Sequence, residues 1–334
     1  MFNIRVLSLF DGISCGMVAL ERANIPVERY VAYEIDKYAI QVSEKNYPQI
    51  EHCGDVLKAN FTQYKDFDLL IGGSPCQDLS IAGKRAGLNG NRSGLFWEYV
   101  RALRECKPKY FLFENNYRMP KDAEEIITET LGVEPILINS SHFSAQSRDR
   151  LYWTNIPIDC SKIPKSTLVM KDIIETEVDD KYYMNYPIIL KEKYADCELK
   201  QIGTIPKSAL KDNERQRRVY SIDSLSPTIL ARSDSPKILC VGQLDMKASQ
   251  QIKNVYSVNG LSPTIDTAQG GHRQVKILEN AKVRKLTPLE CERLQTLPDD
   301  YTDGMSNTQR YKCIGNGWTV DVIAYILSGL HIKE

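Results

Sequence analysis

No stretch of the chain comes near the roughly 18 consecutive apolar residues that a membrane-crossing helix needs. The amino terminus, MFNIRVLSLFDG, has an arginine inside its apolar run and no cleavage-site pattern. Neither a membrane span nor a secretory leader is expected, and the chain reads as cytoplasmic. Net charge is absent too: 43 basic and 43 acidic side chains balance, so any site for a polyanion has to be local. The nine cysteines, at 15, 53, 76, 106, 160, 197, 240, 291 and 313, are odd in number, scattered and without a Cys-x-x-Cys pair. That pattern argues against a disulfide framework and a zinc site and leaves reduced thiols, so no metal is expected. What is present is ordinary for a globular chain: 334 residues, 42% hydrophobic and 26% charged, enough for one large domain and a smaller one.

One stretch organises the rest. Phe67 to Ser80, FDLLIGGSPCQDLS, runs from an apolar segment into a turn of small residues. Asp68 to Ile71 is too short for a helix and apolar enough for a buried parallel strand, and Gly72-Gly73-Ser74-Pro75 ends it abruptly. Cys76 therefore follows a strand's carboxyl end. That edge of an open α/β sheet is where ligands bind, which is the position of a nucleophile. The alternative is a buried, inert thiol, the usual state of a free cysteine.

Before it, Arg5 to Phe10 reads as a first strand, and Asp11 to Gly16 turns it into a helix from Met17 to Ala23. Such a strand, glycine turn and helix can cradle a nucleotide-like ligand on backbone amides. A second strand, Tyr30 to Tyr33, ends in Glu34 with Asp36 behind it. Glu34 lies about 20 residues past the glycine turn, where doubly wound folds place a carboxylate on a ribose; Asp36, ahead of KYAIQVSEKN, serves equally as a helix cap. After a helix from Lys37 to Asn46 comes a third acidic turn, Gly54-Asp55-Val56. Gly12, Glu34 and Asp55 at successive strand ends suit an adenosine. No lysine follows the first glycine turn, as a phosphate-binding loop requires, so the ligand reads as a nucleoside without phosphates.

Beyond Cys76, Ile81 to Gly94 is a long unpatterned stretch carrying Lys84, Arg85 and Arg92, and long loops beside a site are commonly lids. A helix from Leu95 to Glu105 and a strand from Tyr110 to Phe113 lead to Glu114-Asn115-Asn116. A carboxylate there is placed for partial burial, the setting in which it can keep a proton near neutral pH; an exposed glutamate opening a loop is the alternative. Helix Asp122 to Thr130 and strands Pro135 to Ile138 and Leu151 to Thr154 follow, with Gln146-Ser-Arg148-Asp-Arg150 between the last two. In an extended segment these alternate residues share a face. They suit a phosphate, a carboxylate or a base edge, or else a surface ion-pair ladder.

From Ser161 the texture changes, and the segment to Glu198 reads as a helical connector. Then VYS-x-x-x-LSPT occurs twice, from Arg218 and again from Asn254, 36 residues on. Two copies are too few for a solenoid and read as two β-units. Each precedes a polar loop, 231–235 with Arg232 and Ser233 and 267–274 with His272, Arg273 and Gln274. Such residues suit the reading of base edges, and they are also ordinary in surface loops. At Thr287-Pro288-Leu289-Glu290 a capping threonine, a proline and a glutamate start a helix. Gly315-Asn316-Gly317-Trp318 then turns into a last helix, Val320 to Ser328. The division expected is a catalytic and cofactor-binding domain over 1–160, a target-recognition domain over 161–280, and a segment over 281–334 returning to the first.

Taken together and in this order, these elements resemble the DNA (cytosine-5) methyltransferases of bacteria and phages over essentially the whole chain. The amino-terminal half, with SLFDGI, GGSPCQDLS and LFEN, is also similar to the catalytic domain of the animal de novo enzymes. The resemblance implies a doubly wound, Rossmann-like S-adenosylmethionine-dependent methyltransferase sheet with a smaller, mainly β target-recognition domain. It implies a cofactor pocket formed by Phe10, Asp11, Gly12, Gly16, Glu34, Ile35, Asp55, Val56, Pro75 and Asn316. Cys76, Glu114, Arg148 and Arg150 are the catalytic set it implies, and Thr287-Pro288-x-Glu290 with Arg293-Leu294-Gln295 match closing elements. Two positions depart from the pattern: Asn116 stands where valine is usual, and Gly317-Trp318 where a serine or alanine is followed by an apolar residue.

The implied reaction adds a methyl group to carbon 5 of cytosine in duplex DNA through a covalent bond from Cys76 to carbon 6 of a flipped-out base, with Glu114 at ring nitrogen 3. Lys84, Arg85 and Arg92 would grip phosphates. The implied partners are double-stranded DNA and, where the enzyme is one half of a restriction-modification system, a separately encoded endonuclease; the chain is expected to be a bacterial or phage monomer that binds no membrane. A tRNA cytosine-5 methyltransferase would use the same cysteine and glutamate. A catalytically inactive DNA-binding homologue would lack one of them, and a dehydrogenase-like protein would account for only the first 60 or so residues.

Overall fold

The computed structural model describes residues 3–74, 93–183, 201–204, 218–220, 240–243, 254–258, 260–265, 274–279 and 282–332. The main sheet takes strands β1 (Ile4–Leu9), β2 (Val27–Tyr33), β3 (Glu51–His52), β4 (Leu69–Gly72), β5 (Tyr110–Asn116), β6 (Ile136–Asn139) and β7 (Asp149–Thr154). Its order is β3-β2-β1-β4-β5-β7-β6, with β7 antiparallel to both of its neighbours and the other pairs parallel. The order reverses between β1 and β4, so the crevice at their carboxyl ends is where a ligand belongs.

The strands are apolar on both faces because both faces are covered. Val6, Ala32, Leu69, Ile71, Leu112 and Tyr152 point into one core, and Leu7, Leu9, Val31, Leu70, Phe111, Phe113, Leu151 and Trp153 into the other. Helices α1 (Cys15–Arg22) and α2 (Lys37–Asn46) cover the first face, and α3 (Phe96–Cys106) and α4 (Lys121–Leu131) the second. This alternation is the period of two of a sheet buried on both sides.

Short strands β8 (Gln201–Thr204) and β9 (Arg218–Tyr220) pair with each other. Strands β10 (Cys240–Gln243), β11 (Asn254–Ser257), β12 (Lys276–Glu279) and β13 (Lys282–Lys285) form a second sheet in that order. The LSPT of the second repeat copy is a joint: Ser262 donates its amide to Ala145 O and accepts from Ser147 N, both at 2.9 Å. The helical connector expected over 161–198 is not seen in its described part, 161–183, which holds only single 3-10 turns. Asp159 and Asp179 each accept a backbone N–H two residues on and so cap the turns at 160–162 and 180–182.

Three helices close the chain: α5 (Pro288–Leu294), α6 (Asn307–Asn316) and α7 (Val320–Leu327). Helix α5 starts as expected, with a reciprocal capping box between Thr287 and Glu290. The mainly polar NTQRYKCIGN of α6 gave no helical signal, and the helix stands because Arg310, Tyr311, Cys313 and Ile314 are buried. Residues Asn307–Leu330 have the length and apolarity of a membrane crossing, yet 67% of the most apolar 18-residue window in that run is buried inside the fold. It consists of two core helices broken at Gly317, the second packed against α1.

Candidate active site

Four strand ends meet at the crevice. After β1 the backbone enters the left-handed region at Phe10, Gly12 and Ser14, with φ of 58°, 61° and 58°. Two of these carry side chains and are strained. Asp11 holds the turn together, accepting from Ser8 Oγ at 2.5 Å, Ser14 Oγ at 2.5 Å and Tyr30 OH at 2.6 Å. Its carboxylate thus shapes the loop. A methyl group on Gly16 would stand 2.4 Å from Ile71 Cδ1 and 2.8 Å from Tyr30 OH, so this glycine lets α1 lie on the sheet.

The turn presents Gly12 N to Glu34 Oε2 at 2.9 Å, while Oε1 of the same carboxylate accepts from Ile35 N and Asp36 N, each at 2.8 Å. Three backbone donors therefore orient Glu34 at the end of β2. Asp36 caps α2 through Tyr38 N at 3.0 Å and meets Lys312 Nζ of α6 at 2.5 Å. Burial alone would raise the Asp36 carboxyl, but the hydrogen bonds from Lys312 and Tyr38 hold it below its ordinary range. Ile35 is 74% exposed and Leu57 62% exposed. Asp55 accepts from Leu57 N at 3.0 Å, and Val56 is buried. An oriented carboxylate flanked by bare aliphatic side chains, with open space in front of Gly12, fits a nucleoside: a ribose on the acid and a flat base on the apolar groups. Asn316, the last residue of α6, is exposed.

The second centre is the end of β5. Glu114 Oε1 pairs with Arg150 Nε at 2.9 Å, both side chains nearly buried. Trp318 Nε1 donates to Glu114 Oε2 at 3.1 Å. The diagonal position of Glu114 and Arg150 follows from the register, in which Glu114 faces Tyr152 and Asn116 faces Arg150. Next door, Asn115 Nδ2 reaches Ser74 O at 3.4 Å and Oγ at 3.3 Å, which ties the end of β4 to the end of β5. Asn116 accepts from Arg118 N at 3.1 Å and so shapes the turn out of the strand.

The face expected for Gln146, Arg148 and Arg150 divides. Strand β7 begins only at Asp149. Arg150 goes to Glu114, whereas the buried Arg148 guanidinium donates to Ile265 O at 3.3 Å, to Gly315 O at 3.4 Å and to Gly317 O at 3.2 Å. Gln146 is fully buried, with neither amide atom hydrogen-bonded among the described residues. Three residues outside the expected catalytic and cofactor sets also stand at the site: Gly73, Gln295 and Trp318. The doubled glycine at 72–73, the Arg293-Leu294-Gln295 match and the departure at 318 were their signals.

Burial pushes the thiols of Cys15, Cys106 and Cys313 up to about 12, which leaves them protonated and poor nucleophiles. Cys76, Pro75, Lys84, Arg85, Arg92, Arg232, Ser233, His272 and Arg273 lie outside the described residues. Gln274 lies just before β12 and is half-buried.

A mostly parallel sheet of seven strands, one of them reversed near the edge, with a crevice at its switch point whose groups fit a nucleoside, is the fold of the S-adenosylmethionine-dependent methyltransferases. Within that class, the family model for C-5 cytosine-specific DNA methylases matches residues 4–331. The chain belongs to that family and is a DNA cytosine-5 methyltransferase. Among curated proteins it is 29% identical to orphan methyltransferase M.SPRI of Bacillus phage SPR, over 99% of this chain and 98% of that one. It is 27% identical to orphan methyltransferase M.SPBetaI of Bacillus phage SPbeta, with the same coverage. Similar solved structures include the Entamoeba histolytica methyltransferase EhMeth, with a TM-score of 0.69, 15% identity and all of both chains covered. The S. pombe Dnmt2 methyltransferase has a TM-score of 0.64 at 17% identity, with 99% of this chain and 100% of that one covered. At these identities the two structures speak for the fold.

Proposed function

We propose that the chain methylates carbon 5 of cytosine within a specific double-stranded DNA sequence, using S-adenosylmethionine, through a covalent adduct of Cys76 with a flipped-out base. The observation that carries the reading is Glu114, its carboxylate held at both oxygens beside Ser74. Two peptide units follow Ser74 to Cys76, a chain length of at most about 7 Å, which is short enough for thiol and acid to share one small site, as the proposal requires.

Carbon 5 of cytosine is a weak nucleophile. Attack of the Cys76 thiolate on carbon 6, with the Glu114 proton shared to ring nitrogen 3, turns carbons 5 and 6 into an enamine-like pair whose electrons sit on carbon 5. S-adenosylmethionine supplies an electrophilic methyl group on a sulfonium. Loss of the carbon 5 proton to a base and departure of the thiolate then restore the aromatic ring. Arg150 keeps Glu114 oriented through the sequence and offsets negative charge beside it. Glu34 orients the cofactor's ribose, and Ile35 and Leu57 give its base an apolar seat. Carbon 6 cannot be reached in a stacked duplex, so the base swings out, at a cost of a few kcal/mol. Lys84, Arg85 and Arg92 would hold the backbone phosphates meanwhile.

Target reading belongs in this proposal to residues 161–280, through the loops at 231–235 and 267–274. Residues 1–160 form the catalytic part, and 281–334 return to it. The names of the phage relatives, orphan methyltransferases, favour an enzyme that works without a paired endonuclease; in this proposal the chain acts as a monomer. Bisulfite sequencing of DNA from cells expressing the chain reports activity, base and sequence context together. Cys76→Ser should abolish the modification and retain DNA binding, and turnover by that variant would overturn the nucleophile. Exchange of either loop should change the modified sequence; an unchanged target would place recognition elsewhere.

A further inference from the structure

We propose that Trp318 is a positioning residue for the carboxylate at the target base: its indole N–H holds Oε2 of Glu114 while Arg150 holds Oε1. The inference rests on the reading of Glu114 given above. A glutamate gripped at one oxygen can still turn about its last side-chain bond. Gripped at both, it has its plane set before a substrate arrives, and the bond from the charged Arg150 is of the stronger, charge-assisted kind.

The surroundings are built to deliver that N–H. The indole lies between two glycines: a methyl group on Gly73 would come 3.4 Å from Trp318 Nε1, and one on Gly16 would come 3.7 Å from its Cζ3. The ring thus spans from the cofactor turn to the catalytic strand end. Its backbone is pinned from two sides. Gly317 O accepts from Arg148 Nη2 and from Gln295 Nε2, both at 3.2 Å. Thr319 Oγ1 donates to Gln295 Oε1 at 2.7 Å, and Val320 N to Gln295 O at 2.9 Å. On the inner side Gly317 packs on Cys15, whose Sγ would be 3.1 Å from any methyl group there. A turn held this way fixes the backbone from which the indole projects. Arg148 and Gln295 thereby act on Glu114 through Trp318. The departure at position 318 is chemical: an apolar side chain there would fill the space and donate nothing.

Trp318→Phe keeps an aromatic ring and removes the donor; Trp318→Leu supplies an apolar residue. For Trp318→Phe the expected result is an unchanged unfolding midpoint, KM values for S-adenosylmethionine and duplex DNA within about twofold of the parent, and kcat lower by roughly ten- to a hundredfold. Release of tritium from carbon 5 of cytosine in duplex DNA without methyl donor, which needs only the activated base, should fall by the same factor. A parental kcat in Trp318→Phe would overturn the proposal. So would a rise in the KM for S-adenosylmethionine with unchanged tritium release, since the ring would then serve the cofactor alone. A parent that neither methylates nor exchanges would instead overturn the reading of Glu114 on which this stands. A readout independent of turnover is the indole N–H spectrum of the chain's three tryptophans. The Trp318 resonance should lie downfield and move in Glu114→Gln, and a resonance that stays in place would remove the bond.

Discussion

A methyl group on Gly73 would stand 2.9 Å from Oε2 of Glu114 and 3.2 Å from its carbonyl oxygen. β4 and β5 are paired neighbours, and the acid of β5 can lie against the end of β4, which leads to Cys76, because residue 73 has no side chain. Gly73→Ala must displace a carboxylate held by Arg150 and Trp318. The expected outcome is a fall in kcat of about a hundredfold, the scale of a misplacement near 1 Å, with a change in unfolding midpoint of only a few degrees. Steady-state kinetics and a thermal melt on the same preparation check both parts.

Glu34 takes three backbone N–H donors and faces the open space before Gly12. Glu34→Ala should weaken S-adenosylmethionine binding by roughly ten- to a hundredfold, the worth of a charge-assisted hydrogen-bonding group. At saturating cofactor kcat should be preserved. Calorimetric titration of the cofactor, beside kcat, separates the two.

Arg284 and Glu290 form a doubly hydrogen-bonded ion pair with both side chains fully buried, at 2.8 Å for each bond. Glu290 also accepts from Thr287 N at 2.8 Å and Glu175 N at 2.9 Å. Arg284→Met leaves that carboxylate buried without its cation, a loss of about 3–5 kcal/mol. Arg284→Met with Glu290→Leu should be more stable than the single variant. Urea denaturation of the two variants and the parent gives the comparison.

The Asp36–Lys312 pair links the helix behind Glu34 to α6 and sets a pH dependence. The Asp36 carboxyl is lowered in the fold. Its contribution is therefore complete above the unfolded value, about 3.9, and is lost as pH falls through the folded one. The Lys312 ammonium is raised, first by its hydrogen bond to Asp36. Its contribution is complete below about 10.4 and is lost as pH rises through the folded value. The stability gap between the parent and Lys312→Met should accordingly be flat through neutral pH, then close in strong acid and in strong alkali. Thermal unfolding midpoints across the pH range measure it.

Much of this site is legible along the chain because its local pieces are short. A strand ended by Gly72-Gly73, a left-handed turn needing Gly12 and a capping box from Thr287 to Glu290 are each specified within a few residues by backbone sterics and hydrogen bonding. So are the positions of Glu34 and Glu114 at strand ends. The polar sequence of α6 was not legible, because that helix is stabilised by burial against other elements. Residues 161–183 hold only single 3-10 turns where a helical connector was expected.

The sequence by itself determined the order of strands and turns, the chemistry waiting at each strand end and the cysteine and glutamate on which the proposed reaction turns. Only the tertiary structure decided how those groups are held. The bond between Glu114 and Trp318 joins residues 204 apart, and Arg148 parts from Arg150 to grip the turn at Gly317. Periodicity and turn chemistry act over a few residues, whereas the direction of a buried donor depends on the packing of distant elements, each of which must satisfy its own polar groups once water is gone.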